Sequence, residues 1–152
     1  MGDIDDLYRL HGGTLLAYLR RGFSRCGTPE DMLQETFLHA LRHQDRLASA
    51  VSQRAWLFGV ARHVGLTAAR RHRPLDVLDS SAAAVEVRPE IIEMRQAIAA
   101  LPEISREALE LRLREGLSYE EIALMLEIPI GTVRSRLHTA MRQLRATMSE
   151  EK

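Results

Sequence analysis

The chain has 152 residues, with 21 basic and 21 acidic side chains and a formal net charge of +0. That length allows one domain or two small ones, and 45% hydrophobic residues make it a folding chain rather than a disordered one. Cys26 is the single cysteine, which excludes an intrachain disulfide and a cysteine-built zinc site; no signal peptide and no run long enough to span a membrane is visible, so a cytoplasmic protein is expected.

Zero net charge speaks against nucleic acid until its distribution is read. From Arg46 to Arg73 there are six arginines and no acid, and from Ile128 to Ser149 four arginines and no acid. The acids gather in the first residues, in the 76–90 stretch and from Glu103 to Glu127. Two local basic surfaces on a neutral chain fit DNA contact better than the total suggests.

In chain order, Ile4 to Phe23 spaces Leu7, Leu10, Leu15, Leu16 and Leu19 for an amphipathic helix. Gly12 and Gly13 cost backbone entropy in its interior and predict a bend or break. Thr28-Pro29-Glu30-Asp31 starts the next helix: Thr28 can cap, Pro29 suits the first position and the acids favour the dipole. It is expected to run to about His43, with Leu33, Phe37, Ala40 and Leu41 on the apolar face. Asp31, Gln34, Glu35, Leu38 and Arg42 share the opposite face, which periodicity alone leaves open between plain surface and a partner site. His39 and His43 lie four apart, but without HExxH, a cysteine or a third ligand no metal site is expected.

Gln44 to Val51 reads as a loop, and Ser52 as the cap of a helix reaching about Arg73. Trp56, Leu57, Val60, Ala61, Val64 and Ala68 form its inner face. Arg62, His63, Leu66, Arg70 and Arg73 lie round the other side, either as a solvated charge run or as a DNA surface. Pro74 ends the helix. Asp76 to Pro89 is acidic, lacks a clear period and reads as a linker joining two independently moving domains. Ile91, Met94, Ile98 and Leu101 then mark one helix. Pro102 opens another, with Ala108, Leu109, Leu111 and Leu113 inward and Gly116 as its closing cap.

The stretch Leu117 to Leu144, LSYEEIALMLEIPIGTVRSRLHTAMRQL, reads as two short helices and a tight turn. Ser118 and Glu121 make a capping box, Pro129 and Gly131 punctuate, and the longer helix begins near Thr132. Val133, Leu137, Ala140 and Leu144 form one stripe of that helix; Arg134, Ser135, His138, Thr139 and Arg142 form the opposite one. A helical hairpin with a solvated basic face is one reading. A helix-turn-helix, its second helix shaped for the major groove, is the stronger.

With these segments in hand, the chain resembles the extracytoplasmic-function (ECF) sigma factors of bacterial RNA polymerase, in the sigma-70 class. PEDMLQETFLHAL resembles region 2.2, RAWLFGVARHVGLTAARR regions 2.3 and 2.4, and LPEISREALELRLREGLSYEEIALMLEIPIGTVRSRLHTAMRQLR region 4. The resemblance implies an all-α chain of two small helical domains: residues 1–75 region 2-like, 76–90 a linker, and 91–152 the region 4-like helix-turn-helix. It implies that Asp31, Gln34, Glu35, Leu38 and Arg42 bind core polymerase, with its beta-prime and beta subunits as partners. It implies that Arg62, His63, Leu66, Thr67 and Arg70, with the preceding Gln44–Val51 loop, serve the −10 element. Arg134, Ser135, His138, Thr139 and Arg142 match the recognition helix for the −35 element, and Arg112, Ser118 and Tyr119 match backbone-contacting positions around it.

The chain departs from the family pattern at His63, where asparagine is frequent, at Leu41, where tryptophan is common, at Glu127, in place of a turn glycine, and at Thr139, in place of an arginine. The implied function is an alternative sigma factor, with promoter DNA and an anti-sigma factor as further partners and neither membrane insertion, cofactor nor small-molecule substrate. The competing reading is a sigma-like adaptor that sequesters an anti-sigma factor without reading DNA. A simple repressor leaves the first 75 residues without a role, and an enzyme lacks a nucleophile–base pair, phosphate loop or metal cluster.

Overall fold

The computed structural model describes residues 4–71 and 88–149. Among them are eight α-helices and no strand. The chain divides into two compact units, Met1–Leu78 and Asp79–Lys152.

The first unit holds α1 (Ile4–Phe23), α2 (Pro29–Arg42), α3 (Gln44–Ser49) and α4 (Gln53–Arg71). α1, α2 and α4 pack on one another around Leu15, Leu19, Leu33, Phe37, Leu57 and Phe58. Each such burial contributes about 1.5–3 kcal/mol. Edge-to-face aromatic pairs lock the helices: Tyr8 meets Phe37 at 5.0 Å and Tyr18 meets Phe58 at 5.4 Å. Of the bend or break expected at Gly12 and Gly13, the break does not occur, because α1 is continuous. Leu7, Leu15 and Leu19 are buried on both sides of the pair, and this packing outweighs a propensity cost of about 1 kcal/mol per glycine. Leu10 leaves the predicted stripe and is exposed, as is Leu41 on α2.

Thr28 precedes α2 in extended conformation, yet its side chain makes no capping hydrogen bond; Pro29 carries the start. The loop expected over Gln44 to Val51 is largely the helix α3. Leu47 is 3% exposed and pins that turn to the core, while its amide bonds the His43 carbonyl at 3.0 Å. One buried leucine in six residues is too short a pattern to show a period. Ser52 caps α4 as expected, its Oγ accepting from the Ala55 amide at 3.0 Å. Phe58, absent from the predicted inner face, is fully buried. Arg73 and most of the expected 76–90 linker lie outside the described residues.

The second unit holds α5 (Pro89–Ala99), α6 (Glu103–Leu113), α7 (Tyr119–Leu126) and α8 (Ile130–Ser149). Its core gathers Leu101, Leu109, Leu111, Leu117, Ile122, Val133, Leu137 and Ala140, with α6 and α7 packed on α8. Leu113, expected inward, is exposed; Ile91 and Met94 lie on a helix as expected but are exposed as well, and only Ala97 of α5 is buried. Gly116 takes φ +67 after α6, and the Leu117 amide returns to the Leu111 carbonyl at 3.2 Å. The turn between α7 and α8 is made by Glu127 at φ 55, in the left-handed region. Gly131 is ordinary helix, because α8 starts at Ile130, two residues before the expected Thr132, with the Pro129 carbonyl accepting from Thr132 and Val133.

Candidate nucleic-acid interface

The α7–α8 pair is built from its caps outward. Ser118 Oγ accepts from the Glu121 amide and Glu121 Oε1 accepts from the Ser118 amide, both at 3.1 Å. This reciprocal box satisfies two orphan amides at the start of α7. Ser118 keeps its hydroxyl proton as a donor. Arg112, exposed near the end of α6, donates from Nη1 to the Leu117 carbonyl at 3.1 Å. Its guanidinium lies 5.5 Å over the Tyr119 ring. Arg112 therefore ties the end of α6 to the entry of α7 and holds Tyr119 in place.

On α8 the expected two-stripe division is present. Val133, Leu137, Ala140 and Leu144 are buried, while Arg134, Ser135, His138 and Arg142 are exposed and Thr139 is half-buried. Tyr119 joins Arg134, Ser135, Leu137, His138, Met141, Arg142 and Arg145 around a hollow of about 680 Å³. Arg145 lies outside the predicted stripe, although it continues the 134, 138, 142 spacing by three residues. Arg134 to Arg145 spans roughly 16 Å of helix at 1.5 Å per residue. The stripe bears donors and no carboxylate, so it can meet phosphates and base-edge acceptors.

In the first unit, α4 turns His63 and Arg70 to solvent, with Arg62, Leu66 and Thr67 half-buried beside them. On α2, Asp31, Gln34, Glu35, Leu38 and Arg42 are all exposed on the side away from buried Leu33, Phe37 and Ala40. Arg20 near the end of α1 and Glu30 in the first turn of α2 form an exposed ion pair of 2.7 Å. The Arg20 hydrogen bond, with the backbone amide of Glu30 second, holds that carboxyl below its usual range. His39 and His43 are in ring contact, and His39 titrates below its ordinary value, first through burial and then through the charges of His43, His63, Arg46 and Arg42. Among the described residues no group of three His, Cys, Asp or Glu side chains is placed to hold a metal, and no helix is long and apolar enough to cross a membrane.

Two helical units, one ending in a helix-turn-helix with a basic outer stripe, define a sigma-70-class architecture. Two family models match it: Sigma-70 region 2 over residues 7–74 and Sigma-70, region 4 over residues 91–144. The ECF RNA polymerase sigma factor SigL of Mycobacterium tuberculosis is 34% identical over 155 aligned positions, covering 95% of this chain and 88% of that protein. The ECF RNA polymerase sigma-E factor of Salmonella typhimurium is 36% identical over 134 positions, covering 75% of this chain and 70% of the other. The sigma factor RpoE of Bartonella quintana, solved in complex with the anti-sigma factor NepR, shares the fold with a TM-score of 0.61 and 25% identity, over 95% of this chain and 98% of that one. The chain belongs to the extracytoplasmic-function sigma factors. Members of this family are non-enzymatic transcription initiation factors.

Proposed function

We propose a division of labour across the two units of this alternative sigma factor, which directs promoter-specific initiation by core RNA polymerase. The outer face of α2, with Asp31, Gln34, Glu35, Leu38 and Arg42, docks on core polymerase. The outer face of α4, with Arg62, His63, Leu66, Thr67 and Arg70, holds the opened −10 element. The α8 stripe reads the −35 element through Arg134, Ser135, His138 and Thr139; Arg142 and Arg145 meet phosphates further along the helix. Arg112, Ser118 and Tyr119 fix the DNA backbone beside it. The segment around 76–90 serves as the linker between residues 1–75 and 91–152. The protein acts in the cytoplasm and has no catalytic site of its own.

The observation that carries the reading is the α8 division: a basic, acid-free stripe stands outward over a fully buried apolar one. Run-off transcription with core polymerase tests it. The expected outcome is initiation from a selected promoter with both elements, lost with Arg134→Ala plus His138→Ala when the promoter depends on its −35 element. The solved complex of the Bartonella quintana relative with an anti-sigma factor favours an anti-sigma partner here too. The adaptor reading, with anti-sigma binding and no DNA contact, predicts no initiation under any promoter. The outward arginines disfavour it.

A further inference from the structure

The end of α2, the short α3 and the middle of α4 bring histidines, arginines and a tryptophan together. The rings of His39 and His43 lie 4.3 Å apart between centroids, at 42°. The ring of His39 also faces Trp56 of α4, 5.9 Å away at 34°. All three are half-buried, so they pack together and still reach solvent. The groups that act on His39 are His43 and Arg42 at the end of α2, Arg46 on α3 and His63 on α4; α1 contributes none. Arg42, Arg46 and His63 are exposed. The acids nearest in sequence, Glu35 and Asp45, are exposed and are not among those groups.

Such a cluster has two states. With both imidazoles neutral it is an aromatic platform. Protonated, it is a concentration of positive charge that needs a counter-charge from outside. Single-stranded nucleic acid supplies both complements, a base face that stacks and a phosphate that pairs. We propose that His39, His43 and Trp56 form a proton-linked contact for the displaced single strand, continuous with the Arg62–Arg70 face of α4. This rests on the reading of α4 as the face that holds the opened −10 element. Strand capture favours the imidazolium form, so binding takes up protons and affinity rises as pH falls through the histidine range. Burial, and then the neighbouring cations, hold His39 below its ordinary value in the free protein.

The test uses the full-length chain and a fluorescently labelled single-stranded oligodeoxynucleotide, with anisotropy read across a salt series at about pH 6 and about pH 8. The protein is expected to bind roughly three- to tenfold more tightly at the lower pH, as one or two exposed charge contacts allow. The slope of log affinity against log salt should steepen there by roughly 0.7 for each imidazolium recruited. His39→Gln with His43→Gln should remove the pH response, while His43→Arg should retain the tighter binding at both pH values. Circular dichroism checks that each variant is folded. A folded double-glutamine variant that keeps the full pH response overturns the proposal. So does a pH response found in pull-down against core polymerase without DNA and missing from the oligonucleotide titration. If Arg62→Ala with Arg70→Ala leaves strand affinity unchanged, the α4 reading itself fails. If those changes weaken binding while the wild-type affinity is flat with pH, the histidine contact alone fails.

Discussion

At Gly65 the packing of α1 against α4 leaves no room for a methyl group. A Cβ there stands 2.6 Å from the ring of Phe23, near the root of that side chain, so the whole ring must move. Gly13 is the control, a helical glycine with nothing within 4 Å of an added Cβ. Gly65→Ala is expected to destabilise the first unit by about 1–3 kcal/mol through overpacking. Gly13→Ala is expected to stabilise it by about 0.5–1 kcal/mol. Urea unfolding followed by circular dichroism measures both. His39 gives a second expectation at this scale. Its folded pKa lies below the ordinary value of 6.5, so the unfolded chain takes up the proton more readily. Well above 6.5 both states are neutral and the residue contributes nothing to pH dependence. As pH falls through that value the unfolded state gains, and stability falls. The unfolding midpoint should therefore drop more between about pH 7.5 and about pH 5.5 in the wild type than in His39→Gln. Equal drops would place the acid sensitivity elsewhere.

α7 is only eight residues long, too short to hold itself together in water. Its capping box and its buried Ile122 and Met125 do that work. Ser118→Ala leaves an amide of Glu121 without its acceptor and should cost about 1 kcal/mol of stability in the second unit. Loss of the box also loosens the entry that Arg112 and Tyr119 share, so binding to −35 DNA should weaken beyond what stability predicts. On α8 two arginines should behave differently. Arg134 stands in the first turns, where a recognition helix meets base edges, and its loss should relax preference at one base pair by roughly 1–3 kcal/mol. Arg142 lies two turns on, and its loss should weaken all sequences alike and lower the salt slope by about 1. Transcription from promoters with single-base changes in the −35 element, run at several salt concentrations, separates the two. If Arg134→Ala keeps the wild-type base preference at every position, direct readout by this residue is wrong.

At the scale of the molecule, the proposed contacts are distributed over both compact units. Polymerase docking is assigned to α2 of the first, −35 readout to α8 of the second. Variants should then separate cleanly. Gln34→Ala with Glu35→Ala should lower affinity for core polymerase without changing helix content, because both side chains are exposed and opposite the core. The same pair should leave binding of the free protein to −35 duplex unaltered. Arg134→Ala with His138→Ala should do the reverse. Pull-down against core polymerase and duplex titration report the two losses independently. A fall in both from one pair of substitutions would mean that the surfaces are not distinct.

The helical periods, the capping box, the cap at Ser52 and the two stripes of α8 were legible in the residues alone. Each is a local pattern, set by spacing along a helix of fixed pitch or by a side chain within reach of its neighbour's amide. Periodicity could not say that α1 continues unbroken through Gly12 and Gly13, because contacts with other helices outweigh a local preference. Nor could it tell that Leu47 turns an expected loop into α3, that Ile91, Met94 and Leu113 stay outside, or that Phe58 goes in. These outcomes depend on how many neighbours each side chain finds across the fold. The meeting of His39, His43, Trp56 and His63 is of the same kind. The histidine pair four apart was visible in the sequence; the arrival of Trp56 and His63 from another helix, with Arg46 beside them, is a product of tertiary packing, which sets the distances on which their charge and stacking depend.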